Sequence, residues 1–253
     1  MKAKINDLTF LDIIVLTIIL FGSAIFSSSF EMISTYFIAQ PENAMPYDAV
    51  QFTETQNIIA LLSQLIFLLL AFGYLYWRNF DFKQLKFTFS LSAILKALGL
   101  FLLIALAMDL YFYALDYFTF SLNNEAYQQQ LQESLALNDE LLTDDASFNY
   151  FSTISWSLIV YSIFNGFYEE IFFLGLCLCV KPTYQKWAFL YSLLIRFSFH
   201  TYQGVESALG ITLILGVIFY VLWKRSSSKN LVPFSLAHSL GDIFGVGILA
   251  YFY

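Results

Sequence analysis

Long apolar runs separated by short polar links set the rhythm of this chain. Seven of them, at about 8–28, 56–77, 91–117, 150–180, 187–203, 207–223 and 231–253, approach or exceed the roughly 20 residues a helix needs to cross a bilayer. The pattern predicts an all-α fold, a polytopic membrane bundle of seven or eight transmembrane helices. Small residues Ala237, Gly241 and Gly245 form a stripe on the last run, suited to close helix packing. The segment 118–149 is different: acidic, with Tyr127, Leu131, Leu135 and Leu142 at roughly helical spacing. It reads as an interfacial amphipathic helix or as a solvated connecting helix. The chain thus divides into residues 1–149, N-terminal spans plus this acidic segment, and a core of residues 150–253.

Composition excludes an ordinary soluble domain. Of 253 residues 59% are hydrophobic, 20% aromatic and only 12% charged, where globular chains run near a quarter charged; mean hydropathy is +0.67. The net charge of −7 says nothing about ligands, because the acids gather in the connections of one side. No basic patch with interleaved aromatics points to nucleic acid. Cys177 and Cys179, two apart on a helix, face nearly opposite ways and suit neither a disulfide nor a shared metal.

The basic residues alternate between links. Lys2 and Lys4 precede the first span; Arg78, Lys83, Lys86 and Lys96 lie around the second link; Lys181 and Lys186 join spans four and five; Lys224, Arg225 and Lys229 join six and seven. The connections 29–55, 118–149 and 204–206 hold no Lys or Arg. By the positive-inside rule the N terminus is cytoplasmic and the C terminus external. A cleaved signal peptide over residues 1–30 is the rival reading, weakened by Asp7, Asp12 and the length of the apolar stretch. Only Arg196, inside a span, breaks the alternation.

Against that background a few ionisable residues stand out. The two histidines, His200 and His238, the adjacent Glu169 and Glu170, and Asp242 all fall within apolar runs, where charge is costly and persists mainly at working sites. Counting from the basic links at about 1.5 Å per residue puts Glu169 at ~18 Å, His200 at ~21 Å and His238 at ~14 Å, near mid-depth of a hydrocarbon core about 30 Å thick. His238 and Asp242 are four apart and share a helix face. Glu169 and Glu170 diverge by about 100°, so one should address the site squarely and the other lie at its edge. Asn165, four before Glu169, can hydrogen-bond it.

The chemistry this set suits is activation of water, with a glutamate as base, a histidine to orient the water, and a polar pair to stabilise an oxyanion. Glu169, His200 and His238 also match the ligand set of a catalytic metal such as zinc. The compact His-Glu-x-x-His motif is absent, so metal use stays open. The alternatives are a polar network that only pins helices together and an ion or proton transporter, for which no repeat symmetry is visible.

Taken together, Glu169-Glu-Ile-Phe-Phe-Leu-Gly175, Arg196-Phe-Ser-Phe-His200 and His238-Ser-Leu-Gly-Asp242 resemble the three motifs of the CPBP intramembrane endopeptidases, the CAAX proteases and bacteriocin-processing Abi proteins, in order and spacing over the last hundred residues. The resemblance implies that Glu169 and His200 activate the water. His238 and Asp242 would complete the site around the scissile carbonyl, with Glu170 supporting Glu169. It implies a multi-pass protein of a bacterial cell membrane acting on a membrane-associated peptide, a pheromone, bacteriocin or similar. Two departures matter. The motif arginine is Leu174 here, and Arg196 occupies an ordinarily apolar position four before His200. We expect the positive charge to have moved to the neighbouring helix, where it still pairs a motif glutamate. The alternative is a catalytically inactive Abi-like protein that binds a partner, in self-immunity or in modulation of a sensor kinase. Asp242 stands where asparagine is common, so it must be protonated, paired with His238 or Arg196, or bound to metal to tolerate an oxyanion.

Overall fold

The structure, a computed structural model, describes residues 4–34, 52–122 and 154–249, and the side chains of 119–122 are not part of that description. The amphipathic reading of 123–149 therefore lies outside the described residues. Helix α1 spans Phe10–Ile33 and α2 Glu54–Trp77. Each opens on a reciprocal capping box, Thr9 with Asp12 and Thr53 with Gln56, which satisfies backbone N–H groups that hydrocarbon cannot. Helix α3 runs over Leu91–Leu122, past the predicted end at 117. Helix α4, Trp156–Glu170, is capped by Ser155 and continues as a π-turn, Ile171–Leu176. Helix α5 spans Gln185–His200; α6 covers Val205–Gly210, a second π-turn at Ile211–Gly216, and Val217–Arg225; α7 spans Val232–Phe244.

Among the described residues, five of the seven helices are long and apolar enough to cross a membrane. The all-α polytopic architecture therefore holds, but two expected spans are cut short. Helix α5 has 16 residues and α7 has 13, about 24 and 20 Å of rise. The chain tightens into a 3-10 turn at Thr201–Gln203 and swings away at Gly204 (φ 88°) after α5, and it does so at Gly245 (φ 81°) after α7. The expected connection at 204–206 coincides with the first break, whereas the apolar run 231–253 passes over the second at Gly245.

Helix α4 runs through the middle: 61% of its most apolar window is buried, against 11% for α2 on the lipid side. It packs along α7 and α2, while α3 flanks α7 and α1 flanks α5. The first half of the chain thus shares one core with the second, from Leu8 to Ala237. The closest helix approach is at Gly166 of α4, where a Cβ would collide with the backbone oxygen of Ser235 and with Ser239 Oγ. The stripe at Gly241 and Gly245 does not serve this purpose. A Cβ at Gly241 would meet only Val246 at 3.9 Å, and one at Gly245 nothing within 4 Å.

No strand occurs among the described residues, but three isolated parallel bridges tie the basic links together: Ile5 with Phe80, Leu8 with Val180, and Lys86 with Asn230. Leu8 N donates to the Cys179 carbonyl at 2.6 Å, Asp81 N to that of Ile5 at 2.9 Å, and Leu231 N to that of Lys86 at 2.9 Å. At the same end, buried Asp12 accepts from Arg78 Nε at 2.6 Å and from Tyr74 Oη at 2.7 Å. Cys177 and Cys179 are free, and burial pushes the Cys179 thiol up to about 12, leaving it a small apolar filler.

Candidate active site

Three helices bring the ionisable residues together in the centre of the bundle. Glu169 and Glu170 end α4 just before its π-turn, whose i→i+5 bond runs from Cys177 N to the Phe172 carbonyl at 2.8 Å. Such turns recur at functional sites because an inserted residue re-aims the side chains beside it. Glu169 and Glu170 are 3% and 0% exposed, Arg196 2%, His200 5% and His238 4%. At this burial an unpaired charge would be untenable, so the pairing decides what the cluster can do.

Glu170 is the hub. Its Oε1 lies 3.0 Å from Arg196 Nη2 and 2.8 Å from His238 Nδ1. The expectation that one glutamate lies at the edge is therefore wrong. Arg196 on α5 and His238 on α7 approach α4 from two sides, so both carboxylates reach the cluster. Arg196 is the cation paired with a motif glutamate, and its Nη1 is 3.6 Å from Glu169 Oε2. The guanidinium lies over Phe173 at 4.0 Å, a cation–π contact that offsets part of its desolvation. Gly216 in the second π-turn leaves the space: a Cβ there would be 2.8 Å from Leu193 Cδ2 and 3.5 Å from Arg196 Cδ. Leu174, at the position of the motif arginine, is 4% exposed in the apolar core.

Glu169 is held at one oxygen only. Asn165 Nδ2 donates to Oε1 at 3.1 Å and also to Asp242 Oδ2 at 2.9 Å. Glu169 Oε2 has no hydrogen-bond partner among the described residues and faces His238 Nε2 at 3.7 Å. Asp242 Oδ1 faces the same nitrogen at 3.6 Å. These separations are too long for direct hydrogen bonds, so two carboxylate oxygens and one imidazole nitrogen converge without closing on one another. Asp242 is thus paired with Asn165 and near His238, and Arg196 is taken by the glutamates.

His200 is joined to this group through the backbone. Its Nδ1 lies 2.7 Å from the Arg196 carbonyl oxygen, which can only accept, so Nδ1 carries the hydrogen and Nε2 is left for a ligand or water. The ring sits against Phe199 at 4.1 Å and parallel to Tyr202 at 6.5 Å.

The trio Glu169, His200 and His238 does not form a metal cradle. No group of three His, Cys, Asp or Glu side chains with that capacity occurs among the described residues. The guanidinium of Arg196 lies between the two glutamates, where a cation would sit, and His238 Nδ1 is committed to Glu170. The donor set does not fit a metal.

Two site neighbours carried a readable signal that motif spacing does not weigh. Gln64, an amide within the apolar run of α2, donates from Nε2 to Asn165 Oδ1 at 2.6 Å and so orients the amide that holds Glu169. Asp109, mid-way along α3, accepts from Ile248 N at 2.9 Å and Leu249 N at 3.1 Å, fixing the segment after α7.

Residues 151–244 match the family model described as type II CAAX prenyl endopeptidase, Rce1-like. The match bears out the resemblance read from the three motifs, all of which it contains. No curated protein and no solved structure matches the chain.

Proposed function

We propose that the chain, whose residues 151–244 match the Rce1-like family model of type II CAAX prenyl endopeptidases, is an intramembrane endopeptidase that hydrolyses a peptide bond of a membrane-associated peptide with water activated by Glu169. The observation that carries this reading is the state of that side chain. One oxygen is anchored by Asn165, and the other makes no hydrogen bond among the described residues and lies 3.6 Å from Arg196 Nη1 and 3.7 Å from His238 Nε2.

In the reaction, Glu169 Oε2 takes a proton from water, and His200 Nε2 accepts a hydrogen bond that orients it. The nascent hydroxide attacks the carbonyl carbon, and the π electrons move onto the carbonyl oxygen. With Nδ1–H donating to Glu170, His238 in its imidazolium form presents Nε2–H as the donor to this oxyanion, beside Asp242. Collapse re-forms the carbonyl and expels the amine, which takes the proton from Glu169. Glu170 holds His238 through Nδ1, and Arg196 holds Glu170 while its Nη1 stays 3.6 Å from Glu169 Oε2. Residues 150–253 carry this machinery, and the membrane of a bacterial cell, with the N terminus cytoplasmic, is its proposed setting. A pheromone- or bacteriocin-like peptide is the proposed substrate.

Mass spectrometry of the membrane peptidome with wild-type protein and with Glu169→Gln tests the proposal. An uncleaved precursor should accumulate in the variant, which would identify substrate and bond together; identical peptidomes would refute hydrolysis. Leu174 at the motif arginine supports the second reading, an inactive protein that binds a partner. A cellular phenotype that survives Glu169→Ala would favour it.

A further inference from the structure

The two groups that handle the water stand on different helices. His200 reaches the cluster through the Arg196 carbonyl, so its level against Glu169 depends on where α5 sits along its own axis. Apolar helices in lipid have no hydrophobic preference for one axial register; packing and polar contacts set it. Helix α1, outside the matched residues 151–244, makes such contacts with both helices.

Against α5 they recur at one offset. Tyr191 Oη donates to Thr17 Oγ1 at 3.0 Å, and Tyr202 N, just past the end of α5, donates to Ser28 Oγ at 2.8 Å. Each bond joins residues 174 apart in the chain. The two helices therefore run parallel and in step for about three turns, about 16.5 Å of rise, and a slip of one turn would break both bonds. The second junction is directional. Thr201 Oγ1 donates its one hydrogen to the Ser198 carbonyl at 3.1 Å and lies 2.8 Å from Ser28 Oγ, so the Ser28 hydroxyl donates to it. Ser28 and Thr201 are 3% and 4% exposed, and Thr201 directly follows His200.

Against α4, Tyr168 donates from Oη to the Leu20 carbonyl. Phe21 is wedged between the two helices, its ring centroid 5.5 Å from that of Tyr168 and 4.9 Å from that of Phe199. Tyr168 and Phe199 immediately precede Glu169 and His200. Thr17, Phe21 and Ser28 lie within about 40° of one another around α1, so a single face of that helix meets the neighbours of both groups.

We propose that this face of α1, from Thr17 to Ser28, sets the level of His200 against Glu169, with Ser28 the positioning residue at the end beside His200. Its effect on turnover rests on the endopeptidase reading; the register itself does not.

Imidazole NMR of the full-length protein in lipid bilayers, labelled with nitrogen-15 at histidine, tests it, because the chain holds two histidines. Ser28→Ala takes the acceptor from Tyr202 N and frees the turn. The His200 signals should then shift or split, while those of His238, held by Glu170, stay in place. Ser28→Thr keeps the hydroxyl and should restore the wild-type His200 signals; Ser27→Ala, at an exposed neighbour, should not disturb them. In the peptidome, Ser28→Ala should accumulate the precursor seen with Glu169→Gln, its cleavage slowed about a hundredfold, the scale of a reacting group misplaced by about 1 Å. Should Ser28→Ala not fold, Ser28→Cys, whose thiol is a weak donor and acceptor, takes its place in both measurements. Unmoved His200 signals, or a shift of both histidines alike, would overturn the proposal, as would a precursor with Glu169→Gln and none with Ser28→Ala. A shift confined to His200, with no precursor in either variant, would leave the register standing and remove the endopeptidase reading alone.

Discussion

At 3.0 Å from Glu170 and 4.0 Å from the face of Phe173, the Arg196 guanidinium neutralises a carboxylate that is 0% exposed. Removing one partner of a buried pair commonly costs about 3–5 kcal/mol, because the other is left charged and alone. Arg196→Leu should therefore lower the melting temperature and abolish cleavage. Leu174→Arg, four residues after Glu170 on the same helix, should partly restore both in the double variant. Failure of that rescue, with the double variant folded, would count against relocation of the charge. Asp242 gives a second prediction. Its Oδ2 accepts from Asn165, which an asparagine oxygen can also do, so Asp242→Asn should cut at a rate within about tenfold of wild type. Asp242→Leu, which removes the acceptor that helps fix the Asn165 amide, should lower kcat well below that of Asp242→Asn. Ionisable residues in apolar runs made most of this site legible in the sequence. Gln64 was not, because spacing within α4 and α7 says nothing about which face of α2 lies against them.

Helix α4 works because it can come very near α7. Gly166 has the backbone oxygen of Ser235 and Ser239 Oγ in the space a Cβ would fill. Those are rigid neighbours, so overpacking of about 1–3 kcal/mol is expected. Gly166→Val should reduce thermal stability and also activity, by moving His238 off Glu170. Gly73→Ala in α2, where a Cβ meets nothing within 4 Å, is the control and should be neutral or slightly stabilising. Melting curves and turnover for the pair check this. The sequence pointed to close packing on α7 at Gly241, but the crossing point depends on how the two helices are rotated, which hydropathy does not encode. The two π-turns were equally unreadable, since no residue pattern distinguishes Ile171–Leu176 from ordinary helix.

The number of helices and the alternation of basic links were plain from the chain, whereas the early end of α7 was hidden by the apolar residues that follow Gly245. The links that carry the basic residues are joined to one another by main-chain hydrogen bonds, and that has a mechanical result. The amides of Ile5, Leu8, Asp81 and Leu231 lie in non-helical links, yet each donates to a carbonyl of a distant link. In deuterium exchange they should be retained for as long as helix interiors, against the usual behaviour of loops; rapid loss would contradict it. Fastened there, the helices cannot splay at that pole without breaking several bonds at once. Any breathing that admits a peptide must therefore pivot about the sewn pole and widen the opposite one, so a disulfide across the sewn pole should leave turnover intact.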